Sequence, residues 1–312
     1  MTSLHKTVED YLAMRRALGF KLLLPGGMLR NFASFLDRES ASHITTKLAL
    51  RWATQPVGAQ PAQWATRLGV IRQFARFMSA SDPRTEIPPL GLLPYRYKRK
   101  RPYIYDDNEV RQLLRAARHI RSATGLRAAS YSTLIGLLVV TGLRISEALS
   151  LDDQHVDLVA GVLTIGRTKF GKSRLVPLHP STTRALKRYV YVLDRIRPRT
   201  QTDAFFVGEQ GRRLTDSIVR KTYNKLSQQT GLRGPTDHRG PRLHDFRHSL
   251  AIKTLIGWYR RGVDVERRLP VLSTYLGHGH VTDTYWYLTS VPELLRLVSK
   301  RLKVRSRGGL VP

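Results

Sequence analysis

Residues 87–107 of this chain read IPPLGLLPYRYKRKRPYIYDD, and no regular element can run through them. Prolines 88, 89, 94 and 102 each remove a backbone donor and push the preceding residue toward extended conformations. The chain is therefore cut into two folding units. About 90 residues precede the cut and about 200 follow it, both near the usual size of one domain. Five of the six residues from Arg96 to Arg101 are cationic, so the connection is itself a basic strip.

Basic character runs through the whole chain. Its 312 residues hold 53 Lys and Arg against 23 Asp and Glu, a net charge of +30. A field of that sign attracts polyanions, and nucleic acid is the usual one. A membrane partner is not expected, because the longest clean apolar run, Leu134 to Val140, is far short of the roughly 20 residues that cross a bilayer. The opening stretch MTSLHKTVEDY carries acidic residues and no apolar signal core. Without cysteine there is no disulfide framework, thiol nucleophile or thiolate metal site. A cytoplasmic, nucleoid-associated protein fits these features.

The first unit reads as short amphipathic helices: His5 to Leu18, Gly27 to Leu36, and a third capped by Thr45 or Thr46 before Leu48 to Trp52. The clearest spans Pro61 to Met78, where Trp64, Leu68, Ile71, Phe74 and Met78 fall on one face. Arg67, Arg72 and Arg76 lie elsewhere on that helix. A solvated basic face is the plain reading; in so basic a chain they are also candidates for phosphate contacts, as are Arg96, Lys98, Arg99, Lys100 and Arg101 in the connection.

After Asp106 the pattern changes. DDNEVRQLLRAARHI places cap residues ahead of Val110, Leu113, Leu114 and Ala117, hence a helix. Ser130 to Val140 is apolar nearly all round and predicts a buried helix ended by Thr141-Gly142. Strand formers on either side of KFGKS, between Gly161 and Leu178, predict a β-hairpin. Further helices are expected at Asp216–Gln228, Leu243–Trp258, Glu266–Leu276 and Pro292–Leu302. No internal repeat argues for a solenoid.

Several polar residues in this second part suit phosphoryl chemistry. Arg144, in TGLRISE, offers a planar fork matched to two phosphate oxygens, although a surface pair with Glu147 would explain it as simply. His244 and Arg247, in LHDFRH, sit about one helical turn apart on one face, and His248 follows. HDFRH also copies the outline of a zinc-binding HExxH helix, but Asp is a methylene short as the base, spacing places no third ligand, and Arg247 would bring positive charge to the metal. LGHGH around His278 suggests the paired histidines of HUH nucleases, yet those flank an apolar residue on a strand, whereas here Gly279 follows a helix-ending turn. Tyr285 and Tyr287 differ by about 200° around a helix, so only one hydroxyl can reach a given phosphate.

The order TGLRISE, a Lys-tipped turn, HDFRH, LGHGH and then Tyr287 resembles the tyrosine recombinase (phage integrase) family, over roughly the last two thirds of the chain. The resemblance implies a mainly α fold with a small β-sheet or hairpin, and a two-domain C-clamp on DNA. Residues 1–91 would be a helical, SAM-like core-binding domain, 92–105 a basic linker, and 106–312 the catalytic domain, with an exchange helix at about 291–303. It implies that Arg144 and Arg247 clamp the scissile phosphate, Glu147 holds Arg144, and Lys169 protonates the leaving oxygen, with Lys172 a DNA-contacting neighbour. His244 would manage the nucleophile's proton, His278 would donate to a nonbridging oxygen, and Tyr287 would attack to form a 3′-phosphotyrosyl link. No metal or nucleotide cofactor is implied, since the covalent bond keeps the phosphodiester energy. The implied partners are double-stranded DNA and further protomers, four on two sites, with sister recombinases an option. The stretch IGWYRRGVDVERRLPVLSTYLGH is similar to transposon-borne recombinases rather than to chromosome-dimer resolving ones. Alternatives are type IB topoisomerase-like strand relaxation and a DNA-binding regulator without catalysis.

Overall fold

The computed structural model describes residues 4–95, 101–166, 173–195, 202–237 and 240–308, with backbone alone for 289–290 and 301–308. The chain divides into two compact units, Met1–Lys100 and Arg101–Pro312. The division falls inside the expected linker. Its last residues belong to the second unit, where Tyr105 is fully buried and Ile104 packs against a core cluster.

Among its described residues the first unit holds four helices: α1 (Leu4–Ala17), α2 (Leu23–Arg38), α3 (Thr46–Thr54) and α4 (Pro61–Met78). Thr45 caps α3, its side chain accepting from the Leu48 amide at 3.2 Å, and Pro61 begins α4 where a missing N–H costs nothing. Leu12, Leu29, Phe32, Leu36, Trp52, Leu68, Ile71 and Phe74 meet in one core. Two of the α4 arginines make bonds within the chain. Arg67 lies 3.7 Å over the Trp52 ring and donates to the carbonyls of Trp52 (2.9 Å) and Ala53 (3.1 Å). Arg72 donates to the carbonyls of Pro88 (2.6 Å) and Pro89 (2.7 Å), satisfying acceptors of a segment that has no helix or sheet partner. Arg76 remains exposed.

The second unit begins with α5 (Asp107–Arg118), whose start is fixed by a reciprocal capping box between Asp106 and Glu109. The expected buried helix is α6 (Leu126–Thr141), which ends on Gly142 at φ 62°. Short α7 (Ile145–Leu149) and a 3-10 turn at Asp153–His155 lead to a three-stranded antiparallel sheet in the order β1 (Val156–Asp157), β2 (Val162–Ile165), β3 (Arg174–Pro177). The hairpin register pairs Ile165 with Arg174 and Val162 with Pro177. Then come α8 (Pro180–Asp194), α9 (Asp216–Gln229), α10 (Leu243–Arg260), α11 (Val265–Leu276), α12 (Thr282–Ser290) and α13 (Pro292–Gly308). One core gathers α5, α6, the sheet, α8 and α9; a second gathers α10 to α13 and includes Tyr287.

The helix α13 packs at its start on its own unit. Leu294 is fully buried, Val291 packs beside it, and Arg260 holds Glu293 at 2.5 Å. Burying one such leucine stabilises by about 1.5–3 kcal/mol. Leu295, the next residue, is 48% exposed.

Candidate active site

Two glycine turns create the site. At the end of α6, Gly142 adopts a left-handed conformation, and a Cβ there would come within 2.9 Å of Leu250 and 3.1 Å of Leu276. The chain can turn sharply only because that space is free, and the turn presents Arg144 as the residue capping α7. Gly277 ends α11 in the same way, at φ 68°, and a Cβ there would meet Arg174 Cζ at 2.6 Å. Both positions thus require glycine by conformation and by space.

Glu147 is the hub between these turns. Its carboxylate accepts from Arg144 Nη1 (2.8 Å), the Arg144 amide (2.9 Å) and both terminal nitrogens of Arg174 (3.1 and 2.9 Å). Burial alone would raise its pKa, but the hydrogen bonds from Arg174 and Arg144 outweigh that and hold it below the usual value. Arg144 Nη2 and Arg174 Nε donate to the carbonyls of Gly277 (3.0 Å) and Tyr275 (3.0 Å). One carboxylate therefore locks strand β3, the start of α7 and the end of α11 together. It also orients Arg144, whose side chain stays 37% exposed.

Arg247 is 2% exposed, an expensive place for a guanidinium. Its Nη1 donates to the Gly142 carbonyl at 2.9 Å, while Nη2 is buried with no hydrogen-bond partner among the described residues. Burial, followed by repulsion from Arg144, lowers its pKa to about 10, so it stays charged at neutral pH. Two guanidiniums near one another, one with an unpaired buried donor, have the charge and the donors that suit an anion.

Three imidazoles and a phenol complete the cluster. Tyr287 is 2% exposed, and its hydroxyl lies 3.1 Å from His248 Nδ1. The His278 ring lies nearly parallel to Tyr287 (23°, centroids 6.1 Å), and Trp286 and His244 stand edge-on to His248. His278 Nδ1 meets Thr284 Oγ1 at 2.7 Å, which leaves Nε2 for another partner. Burial depresses all three histidines, with like charges second: His244 to about 4 with Arg247, His248 to about 3 with His244, and His278 to about 4 with Arg247. His244 is nonetheless exposed. At neutral pH the rings are uncharged and can accept protons.

The residues expected from the sequence to act together converge here: Arg144, Glu147, His244, Arg247, His278 and Tyr287. Lys169 and Lys172 lie outside the described residues, as do Arg96, Lys98, Arg99 and Lys100; Arg101 is exposed. Tyr285 is 49% exposed, on another side of α12 from Tyr287. His244 and His248 touch edge to face at 4.6 Å, and among the described residues no group of three or more metal-ligating side chains forms. Sequence reasoning passed over three participants. His248 shares the helical face of His244 and Arg247, a signal present in the sequence. Thr284 precedes Tyr287 by one turn of α12, a second readable signal. Arg174 had none, since its role depends on contacts with distant Glu147 and Tyr275.

Comparison with known proteins matches this arrangement. The sequence pattern of the phage integrase family fits residues 104–293. A putative integrase/recombinase, y4rB, of Sinorhizobium fredii is 50% identical over 98% of both chains. Tyrosine recombinase XerD of Caulobacter vibrioides is 30% identical over 89% of this chain and 88% of its own. In fold, the chain is similar to the Tn1549 transposon integrase solved with transposon right end DNA (TM-score 0.66, 15% identity, 97% of this chain and 100% of that one). The chain belongs to the phage integrase family, the tyrosine recombinases, and is a site-specific recombinase that breaks and rejoins DNA strands. No helix among the described residues is long and apolar enough to cross a membrane.

Proposed function

We propose that Arg144 and Arg247 clamp one phosphate of a DNA duplex while Tyr287 attacks it. The phenolic oxygen bonds to phosphorus, the bond to the 5′ oxygen breaks, and the strand is left on Tyr287 through its 3′ phosphate. A proton from Lys169 suits the leaving oxygen. His278, oriented by Thr284 at 2.7 Å, can donate from Nε2 to a nonbridging oxygen. The supporting observation is the buried, unpaired Nη2 of Arg247, which would be costly in a protein that never met an oxyanion there. Arg76, Arg101 and the cations from Arg96 to Lys100, with Lys172, would contact phosphates farther along the duplex. The working assembly would be four protomers on two sites at the nucleoid, with the exposed side of α13 meeting a neighbour.

A nicked substrate that loses a short strand on cleavage tests this, because the covalent complex cannot then reseal. The wild-type chain should be trapped on it, Tyr287→Phe should bind yet give no adduct, and Tyr285→Phe should be trapped normally. An adduct that persists in Tyr287→Phe and vanishes in Tyr285→Phe would transfer the role to the exposed tyrosine.

A further inference from the structure

Resting on that reading of Tyr287, we infer that His248, rather than His244, holds the tyrosine hydroxyl and takes its proton during strand cleavage. The hydroxyl of Tyr287 and Nδ1 of His248 are 3.1 Å apart, a contact made by two different helices 39 residues apart in sequence. Its surroundings keep it in register. The His278 ring covers Tyr287 from one side, Trp286 stands 5.4 Å from the His248 ring, and His244 meets that ring's edge at 4.6 Å. His244, one turn earlier on α10, is the outer, exposed ring of the pair.

Nδ1 can accept only if the ring is neutral and its hydrogen is on Nε2. The charges facing His248 favour that state. From its own helix come Arg247 and His244, with Arg242 just before; from the turn after α11 comes His278. Burial opposes an added positive charge most, and of these four groups the two arginines, charged at neutral pH, oppose it as well, so in the free protein the phenol keeps its proton. A phosphate seated on Arg144 and Arg247 would bring negative charge into the same space and relieve the penalty. The base would thus gain strength only when the substrate is present, which protects an idle nucleophile.

The step balances. The O–H bond of Tyr287 breaks, its proton passes to Nδ1, and His248 becomes an imidazolium. The oxygen's electron pair forms the bond to phosphorus while the pair of the P–O5′ bond leaves with the 5′ oxygen, which is protonated by Lys169. In rejoining, the now neutral Lys169 amine takes the proton of a 5′ hydroxyl whose oxygen bonds to phosphorus, the bond from phosphorus to the Tyr287 oxygen breaks, and the imidazolium returns its proton to the departing phenolate.

Single-turnover cleavage of the same nicked DNA provides the test, using the full chain and two forms of the scissile bond. On ordinary DNA, His248→Phe keeps a ring but no acceptor, and cleavage should slow about 100-fold with DNA affinity unchanged. His248→Asn offers an amide oxygen near the Nδ1 position but cannot take the proton, so it should recover only part of the loss. It also serves if the phenylalanine variant folds poorly. On DNA with sulfur in place of the bridging 5′ oxygen, the leaving thiolate needs no acid. Lys169→Ala should then approach the wild-type rate, while both His248 variants stay slow. Wild-type cleavage by either variant on ordinary DNA, or recovery of the His248 variants on the sulfur substrate, would overturn the assignment. Absence of any wild-type adduct at Tyr287 would instead overturn the reading of the nucleophile.

Discussion

Partly or fully buried arginines of the first unit and of the second differ in how their donors are met. Arg67 is drawn against Trp52 and donates to two backbone carbonyls; Arg72 does the same for the proline segment. Arg247 is more deeply buried than either, yet one of its nitrogens has no partner. Burial of a cation therefore says little by itself. What separates Arg247 from Arg67 and Arg72 is a buried nitrogen that has no partner among the described residues, because an unpaired buried donor costs about 1–3 kcal/mol that some other partner must offset.

That contrast predicts opposite phenotypes. Arg247→Lys should reduce single-turnover cleavage by about 10²–10³, since lysine keeps the charge but cannot hold both the Gly142 carbonyl and a phosphate oxygen. A drop of less than threefold would erase the distinction. Glu147→Gln comes next. Arg144 and Arg174 would lose their shared counter-charge, and cleavage should fall about tenfold together with thermal stability, a mixed outcome that neither class of arginine gives alone. Arg67→Ala should lower stability by about 1–3 kcal/mol in denaturant titration and leave the cleavage rate of bound complexes unchanged. Arg76→Ala, lacking such bonds, should leave stability unaltered and reduce the salt dependence of DNA binding by about one phosphate contact.

The smallest effect concerns pH. His244, His248 and His278 have folded-state values of about 4, 3 and 4 against 6.5 in the unfolded chain, so between those limits the unfolded chain binds more protons. Stability should be full above pH 6.5 and decline as pH falls toward 4. Glu147, held below its ordinary 4.5, adds its own loss only below that value. His248→Asn should flatten the melting temperature between about pH 6.5 and 4, whereas Arg67→Ala should lower it evenly across the range.

Much of this was legible in the sequence because it depends on local rules. Pro61 and an apolar stripe set α4 from Pro61 to Met78 as expected, and Gly142 ended α6. Helix α8 and strand β1 were not anticipated. The first begins at Pro180 after His179, an unusual cap, and the second is two residues long and exists only through its pairing with β2. Helix α11 runs through Pro270, whose ring would ordinarily argue for a break. At the site, residues in motifs were found by type and spacing. The fate of each side chain's hydrogen bonds was hidden, since Arg67 and Arg247 look alike until their partners Trp52, Ala53 and Gly142 are known.

The central claim is that the unpaired nitrogen of Arg247 belongs to the scissile phosphate, and replacing one nonbridging oxygen of that phosphate by a methyl group tests it most directly. The measurement compares wild-type and Arg247→Ala cleavage rates on phosphate and on methylphosphonate DNA. If the two groups meet, the variant's penalty of about 10²–10³ on phosphate should shrink to within about tenfold on the neutral analogue. An equal penalty on both substrates would contradict the account and make Arg247 a structural residue like Arg67.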